Sequence, residues 1–518
     1  DTVTLGATQA SGLVDLGAGN HQLILSSAGS NILTVTNAET VTGGSASDSV
    51  TLNAAANVNL GGGSDTLTFG AANLSITASA VEIVKGSSGA DTLTLGAGIT
   101  GASIDLGAGS DKLTLTGSNT LTVSNVETIT GGSGNDLLTL GAGITNGSID
   151  LGAGNDALTL ANTTNSLTAS NIETITGGSG NDTVTVNGLS NGGTIVVNLG
   201  GGTDTLIVLG NANVSATGVE TWRGGDTDDV LTMKTKISGG TVDLAGGKDK
   251  LILESGGNTV TVNNVETIIG NIGNDSVTLG TVMTNGTVQL SYGSDTLTLA
   301  NGANNVSVHG VQTVYGGTGA DVVTSTGFAP ITMYGGGGND TLTGWKYDDR
   351  LYGGDGNDTL NGGDGFDQLY GEAGNDVMNA GNDGARMVGG AGINTAIGGS
   401  DRDYFTFISA NSADRMIVQN MSSNDRIELD TNREDDFTGN AFTLARDLEQ
   451  NVNIKAVSSS TAMNAVDFGQ AGFIYRQDTG GLYYDADGKF ASGSILIGTI
   501  TGTNGAPWTY DFDDIREV

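Results

Sequence analysis

The sequence predicts an all-β protein: a parallel β-solenoid followed by a non-repetitive, β-rich C-terminal cap. Three observations point there. A nine-residue period runs through residues 335–379, with Asp at the sixth place of each copy and a large apolar residue at the eighth. A longer period of about 45 residues fills residues 1–334, as in SIDLGAGSDKLTL at 103–115 and SIDLGAGNDALTL at 148–160. The composition suits neither a compact globule nor a helical protein. The 518 residues include 87 Gly, 2 Pro and no Cys, 37% are apolar, and no long stretch carries the apolar period of an amphipathic helix. A solenoid tolerates this, because each coil needs only a few inward side chains. Three segments follow from the periods: long coils over 1–334, nonapeptides over 335–406, and the cap over 407–518.

In the first segment, Asp-bearing turns recur at Asp48, Asp65, Asp91, Asp111, Asp136, Asp156, Asp182, Asp204, Asp229, Asp249, Asp275, Asp295 and Asp321, leading to Asp340. Their spacing alternates between roughly 26 and roughly 20 residues. Read as one coil per interval, this makes the 45-residue unit two coils, with every Asp on one edge. After each Asp comes a short strand such as KLTL. Alternation predicts Leu113 and Leu115 inward and Thr114 outward. A third motif, NVETI and its variants, places Glu39, Glu82, Glu127, Glu173, Glu220 and Glu266 at matching positions. Leu121 and Val123 are expected inward. If phase continued, Glu127 would point in with Ile129; a bend at Asn125 would reset it. Since a buried unpaired carboxylate is costly, the expectation is an exposed Glu. A ladder of Glu ligands is the open alternative.

The nonapeptides place Asp340, Asp349, Asp358, Asp367 and Asp376 in phase, with Leu342, Leu351, Leu360, Leu369 and Met378 two residues on. The pattern then decays, with Ala385 and Asn394 at the sixth place before Asp403 restores it. Gly-rich turns, including Gly336, Gly338, Gly354, Gly356, Gly363 and Gly365, permit backbone angles that a Cβ forbids. Such turns bring carbonyls toward one point, and the Asp adds a carboxylate. An all-oxygen set of this kind suits Ca²⁺, which takes about 6–8 oxygens. One turn cannot supply that many, so two stacked turns should share each ion.

The pattern G-G-x-G-x-D-x-U-x resembles the calcium-binding repeat of RTX (haemolysin-type) proteins. The resemblance implies a β-roll, multiple bound Ca²⁺ and the Asp turns of both segments as ligands. Coils of two nonapeptides would put Asp340, Asp358 and Asp376 on one edge. Asp349 and Asp367 would lie on the other, continuing to Asp403. The long array should lead into the first edge, as one ladder from about Asp48 to Asp376. His21, in the Asp place of GAGNHQLIL, should break that ladder, since a neutral imidazole suits Ca²⁺ poorly.

In the cap, DRIELD (425–430), FIYRQDTGGLYYDADGK (473–489) and YDFDDIREV (510–518) resemble the C-terminal region of type I-secreted RTX proteins. That resemblance implies an uncleaved signal read by an ABC-transporter export system. The DADG at 485–488 reads as a hairpin turn, because the twelfth position of an EF-hand loop would be Leu496 and not Glu.

A formal charge of −37, from 19 Lys and Arg against 56 Asp and Glu, argues against nucleic acid as a partner and for counter-cations. No transmembrane or signal segment is legible, and the first residues match the middle of a repeat, so a longer array and an N-terminal region are expected upstream. No catalytic constellation is legible. The two histidines are far apart in the stack, and neither H-E-x-x-H nor G-x-S-x-G occurs. The expected function is therefore structural, not enzymatic. The acidic, Thr/Gly-rich, Cys-free chain resembles RTX surface-layer (S-layer) proteins: calcium-rigidified, extracellular, at a bacterial cell surface, self-associating into a lattice or filament. Cell-surface polysaccharide would be a further partner through the upstream region. The alternatives are an adhesin-like stalk, or the carrier and secretion portion of an enzyme or toxin.

Overall fold

The computed structural model describes residues 1–189, 192–210, 212–408, 413–429, 454–457, 472–485, 490, 494–502, 505–507 and 515–517. Among them every regular element is a β-strand. The chain forms two compact units, Asp1–Glu254 and Ser255–Val518.

In the first unit the chain alternates between two parallel sheets, one strand in each per coil. The first sheet stacks Thr92–Leu95, Lys112–Thr114, Thr128–Thr130, Gly147–Asp150, Ser166–Ser170 and Thr183–Asn187 in that order. The second stacks Thr100–Gly107, Thr120–Ser124, Leu137–Leu140, Ala157–Thr159, Thr174–Thr176 and Thr194–Asn198. The stacking is in register, so like falls on like. Leu93, Leu113, Ile129 and Ile149 form one continuous apolar row. Leu113, Leu115, Leu121 and Val123 are at most 3% exposed, while Thr114 stands half-buried on the outer side, as alternation requires. Each coil thus buries a handful of side chains, and the stack turns them into a core.

The coil count departs from the expectation. The 45-residue unit holds five strands, not four. Between Asp136 and Asp156 the chain makes one coil through Gly147–Asp150. Between Asp156 and Asp182 it passes through Ser166–Ser170 and Thr174–Thr176, which is three half-coils. An odd number of half-coils moves the next Asp pair to the opposite edge.

The second unit continues the same plan. One sheet runs through Ser276–Leu279, Thr296–Thr298, Thr313–Tyr315, Thr332–Gly337, Arg350–Asp355, Asp367–Ala373, Ala385–Val388, Tyr404–Phe407 and Arg426–Leu429. Its partner runs through Thr284–Gln289, Asn305–His309, Val322–Ser325, Thr341–Thr343, Thr359–Gly363, Val377–Gly381, Ile393–Ile397 and Arg415–Met421. In the nonapeptides the pairing period is 18 residues, for example Leu351 with Leu369 and Leu342 with Leu360. On the outer face Tyr315, Tyr334, Tyr352 and Tyr370 stack with centroids 4.7–5.1 Å apart. The cap leaves the solenoid pattern. Ile495–Gly502 adds in parallel to Arg415–Met421, and the hairpin of Gly472–Arg476 and Gly481–Asp485 adds antiparallel to it. The tip of DADG (486–488) and most of YDFDDIREV (510–514 and 518) lie outside the described residues.

Candidate metal centres

Every coil has a corner just before each strand, and one residue there faces inward at the turn. This slot is where the sequence-selected Asp residues sit. In the first unit Asp48 and Asp65 precede Ser49–Leu52 and Thr66–Phe69 of the second sheet, and Asp91 and Asp111 precede strands of the first. Asp136 and Asp156 return to the second edge, Asp182 and Asp204 to the first, and Asp229 and Asp249 to the second. In the second unit Asp275 and Asp295 lie on one edge and Asp321, Asp340, Asp358 and Asp376 on the other. Asp349, Asp367 and Asp403 share the edge of Asp275. All these Asp residues are at most 2% exposed.

The stacking expected for the nonapeptides therefore holds, and so does the shared edge of Asp136 with Asp156. The single ladder from Asp48 to Asp376 does not. Asp65 and Asp91 lie on opposite edges, as do Asp295 and Asp321, because three half-coils separate them. Each unit carries short runs that alternate between edges.

Within a run, each slot residue donates its main-chain N–H to the carboxylate of the next slot. Asp48 N–H meets Asp65 Oδ1 at 2.7 Å, Asp136 meets Asp156 at 2.7 Å, and Asp182 meets Asp204 at 2.7 Å. In the nonapeptides, Asp340 meets Asp358 at 2.7 Å, Asp349 meets Asp367 at 2.8 Å, and Asp358 meets Asp376 at 2.9 Å. Ala385 interrupts this chemistry. With no carboxylate there, Asp367 N–H turns to Gly384 O at 3.3 Å, and the run resumes from Ala385 N–H to Asp403 Oδ1. Asp403 N–H then meets Asp425 Oδ1 at 3.0 Å. Asp425 is a slot residue that the sequence reading missed, although NDRI repeats the N-D-x-U signature.

The recurring Glu residues end the runs. Glu82 Oε2 accepts Asp65 N–H at 2.8 Å, Glu127 accepts Asp111 N–H at 2.7 Å, and Glu173 accepts Asp156 N–H at 2.8 Å. Glu39, Glu82, Glu127, Glu173 and Glu266 are half-buried, which corrects the expectation of an exposed Glu for five of the six; Glu220 is exposed. The physical reason is the bend just before them. Asn37, Asn125 and Asn171 take φ of +56°, +53° and +52°, which resets the alternation so that Val126 points inward and Glu127 lands in the slot. Asn tolerates this left-handed angle, and its amide braces the bend against Asp105 Oδ1 at 2.7 Å. His21 fills the slot beside Glu39, donates its N–H to Glu39 Oε2 at 2.6 Å, and buries Nε2 without a hydrogen-bond partner.

One carboxylate oxygen per slot is thus used by the main chain. The other is not. Oδ2 of Asp48, Asp65, Asp136, Asp156, Asp182 and Asp204, and of Asp340, Asp358, Asp367 and Asp376, is buried with no hydrogen-bond partner. At Asp91, Asp321, Asp349 and Asp403 it instead takes N–H groups from its own turn. An orphaned carboxylate oxygen costs free energy unless a cation takes it up. Burial pushes seven of the slot carboxyls well up: Asp65, Asp156, Asp295 and Asp340 to about 6, and Asp367, Asp376 and Asp403 to about 7.

Glycine supplies the room. A Cβ on Gly353 would meet Asp358 Oδ2 and Gly371 O together, and a Cβ on Gly371 would meet Asp376 Oδ2 and Gly389 O. A carboxylate of one turn and a carbonyl of the next therefore converge where these glycines have no side chain. Gly336, Gly338, Gly354, Gly356, Gly363 and Gly365 all take positive φ, between +99° and +139°. Their turns lie one above another, so that a Cβ on Gly354 would meet Gly336 O and one on Gly356 would meet Gly338 O. Among the described residues no three His, Asp or Glu side chains form a metal-binding group. A cation held here must draw most of its oxygens from main-chain carbonyls of two turns. That donor set is hard and oxygen-only, and it fits Ca²⁺.

The family model of the RTX calcium-binding nonapeptide repeat (four copies) matches residues 79–98, 124–144, 169–188, 334–369 and 352–384. The first three matches each span a Glu slot and the Asp slot that follows it, so the long array is built from degenerate nonapeptides as well. No curated protein matches the chain. Repeats of this family are calcium-binding and point to a secreted protein, and among the described residues no helix is long and apolar enough to cross a membrane. With its Asp slots, glycine cradles and parallel coils in place, the chain carries RTX calcium-binding nonapeptide repeats.

Proposed function

We propose that this chain is a structural surface protein, an S-layer or surface-assembly subunit whose solenoid is made rigid by Ca²⁺. The observation that carries the reading is the row of buried carboxylate oxygens without partners, repeated through both units. Such a chain has little to hold it folded until divalent cations neutralise the slots. A charge of −37 adds general repulsion that the same ions relieve. Calcium is scarce inside cells and abundant outside, so folding would follow export through a type I ABC system. The Asp carboxylates and turn carbonyls hold the ions, the apolar rows hold the coils in register, and the rigid product self-associates at the cell surface. The role is mechanical, not catalytic.

Circular dichroism and electron microscopy of the purified chain test this. With chelator the β signal should be largely lost. With millimolar Ca²⁺ it should appear, followed by ordered arrays or filaments. A spectrum indifferent to Ca²⁺ would overturn the calcium reading. A folded chain that stays monomeric at high concentration and saturating Ca²⁺ would overturn the assembly reading alone.

A further inference from the structure

We infer that Asn31, Asn119, Asn165, Asn258 and Asn304 are cation-independent stitches that divide the long array into separate metal-binding runs. The inference rests on the calcium reading above and assigns which slots need an ion and which do not. All five occupy the same slot as the Asp residues, and all are at most 2% exposed. Each stands immediately before a run, and its N–H donates to the first Asp: Asn119 to Asp136 Oδ1 at 2.9 Å, Asn165 to Asp182 at 2.9 Å.

Chemistry at the second side-chain atom separates Asn from Asp. At an Asp slot that atom is Oδ2, an acceptor lying among other acceptors. At an Asn slot it is Nδ2, a donor. Nδ2 of Asn165 donates to Ala161 O at 2.9 Å and Thr163 O at 2.6 Å in its own turn, and to Asp182 Oδ1 at 2.8 Å in the next. Nδ2 of Asn304 meets Ala300 O at 2.8 Å, Gly302 O at 2.9 Å and Asp321 Oδ1 at 2.8 Å. Nδ2 of Asn31 meets Ser26 O at 2.9 Å, Gly29 O at 3.2 Å and Asp48 Oδ1 at 2.8 Å. Turn carbonyls and the neighbouring carboxylate, which at an Asp slot would need a cation to bring them together, close directly on the amide. The other atom, Oδ1, still accepts from the preceding coil, as from Ile99 N–H to Asn119 at 3.1 Å and Met283 N–H to Asn304 at 3.0 Å. An Asn slot therefore keeps the ladder and dispenses with the ion. The nonapeptides are spared such a stitch until Asn394, where one edge's run ends with Asp376 N–H on Asn394 Oδ1 at 2.8 Å.

The test is Asn165→Asp in the full chain, with bound calcium counted by elemental analysis after desalting from saturating Ca²⁺. The substitution replaces the donor by an acceptor among the carbonyls of Ala161 and Thr163, so the variant should bind one ion more than the wild type. Amide exchange gives a second readout. In the wild type, the Asn165 amide should gain protection at a lower calcium concentration than the Asp156 amide, by about tenfold. Asn165→Ala, which lacks both the Oδ1 acceptor and a carboxylate, should lose protection at the Ile144 amide, whose acceptor is Asn165 Oδ1, with or without calcium, and gain no ion. Equal ion counts in Asn165→Asp and wild type would overturn the inference. So would coincident calcium midpoints at the two amides, which remains decisive if the Asp variant does not fold. Retained protection of the Ile144 amide in Asn165→Ala would do the same. A wild type that binds no calcium at all would instead overturn the reading on which the inference rests.

Discussion

Replacing Glu127 separates a hydrogen-bonding role from a metal-binding one. Asp111 is 1% exposed, and its main-chain N–H has Glu127 Oε2 at 2.7 Å as acceptor. Glu127→Ala leaves that N–H buried and unpaired, at a cost of about 1–3 kcal/mol. At ~1.4 kcal/mol per tenfold, this is about a 5- to 150-fold change in the local opening equilibrium. Glu127→Gln keeps an oxygen in the same place. The second unit already contains this arrangement, where Gln312 Oε1 accepts Asp295 N–H at 2.7 Å. The Gln variant should therefore stay within about 0.5 kcal/mol of the wild type. The assay is native-state amide exchange at saturating Ca²⁺, read at Asp111. Global denaturation would not serve, because stacked repeats depart from two-state unfolding. Exchange of Asp111 in Glu127→Ala equal to that of the wild type would refute the capping role. If Glu127→Gln proved as damaging as the Ala change, the charge and not the acceptor oxygen would matter, as expected of a metal ligand.

Two further outcomes follow from the same geometry. Gly353→Ala should lower the calcium count while preserving the β signal in millimolar Ca²⁺, because the new Cβ falls against Asp358 Oδ2 and Gly371 O where the chain has no positive-φ requirement; an unchanged ion count would contradict the cradle. Acidity should act oppositely on the metal-free and metal-bound protein. Burial raises Asp367, Asp376 and Asp403 to about 7 from an unfolded value of about 4. Their contribution to the metal-free fold is therefore fully present below pH ~4 and lost as pH rises through ~7. Calcium needs the carboxylate, so its affinity should fall as pH drops through the same window. Dichroism in calcium-free buffer at pH 4 and pH 8, with calcium titrations at pH 6 and pH 8, checks both signs; a metal-free chain more folded at pH 8 than at pH 4 would be the wrong one.

The sequence by itself determined the local chemistry. Asp in fixed phase with Leu two residues on specifies a corner carboxylate and an inward strand, because strand alternation leaves no other face for the Leu. Hence Leu113, Leu115, Leu121 and Val123 were legible, as was the 18-residue stacking of the nonapeptides, where every half-coil carries its own Asp. The edges of the long array were not legible from the Asp spacing alone. Three of the five corners in a repeat are marked by other residues: Ile144, Asn165 and Glu173 occupy slots between Asp136 and Asp182, at steps of 8, 12, 9, 8 and 9 residues. Counting Asp alone merges three half-coils into one long coil and puts every Asp on one edge. Glu127 was undecidable for a related reason. Its orientation depends on whether Asn125 takes a left-handed angle, and whether its carboxylate is satisfied depends on the Asp111 amide of the neighbouring coil. Only the stacked structure brings those two groups together. A parallel ladder pairs residues some 16–22 positions apart, and the register between coils, not the sequence within one, decides which carboxylate caps which amide and which oxygen is left for the metal.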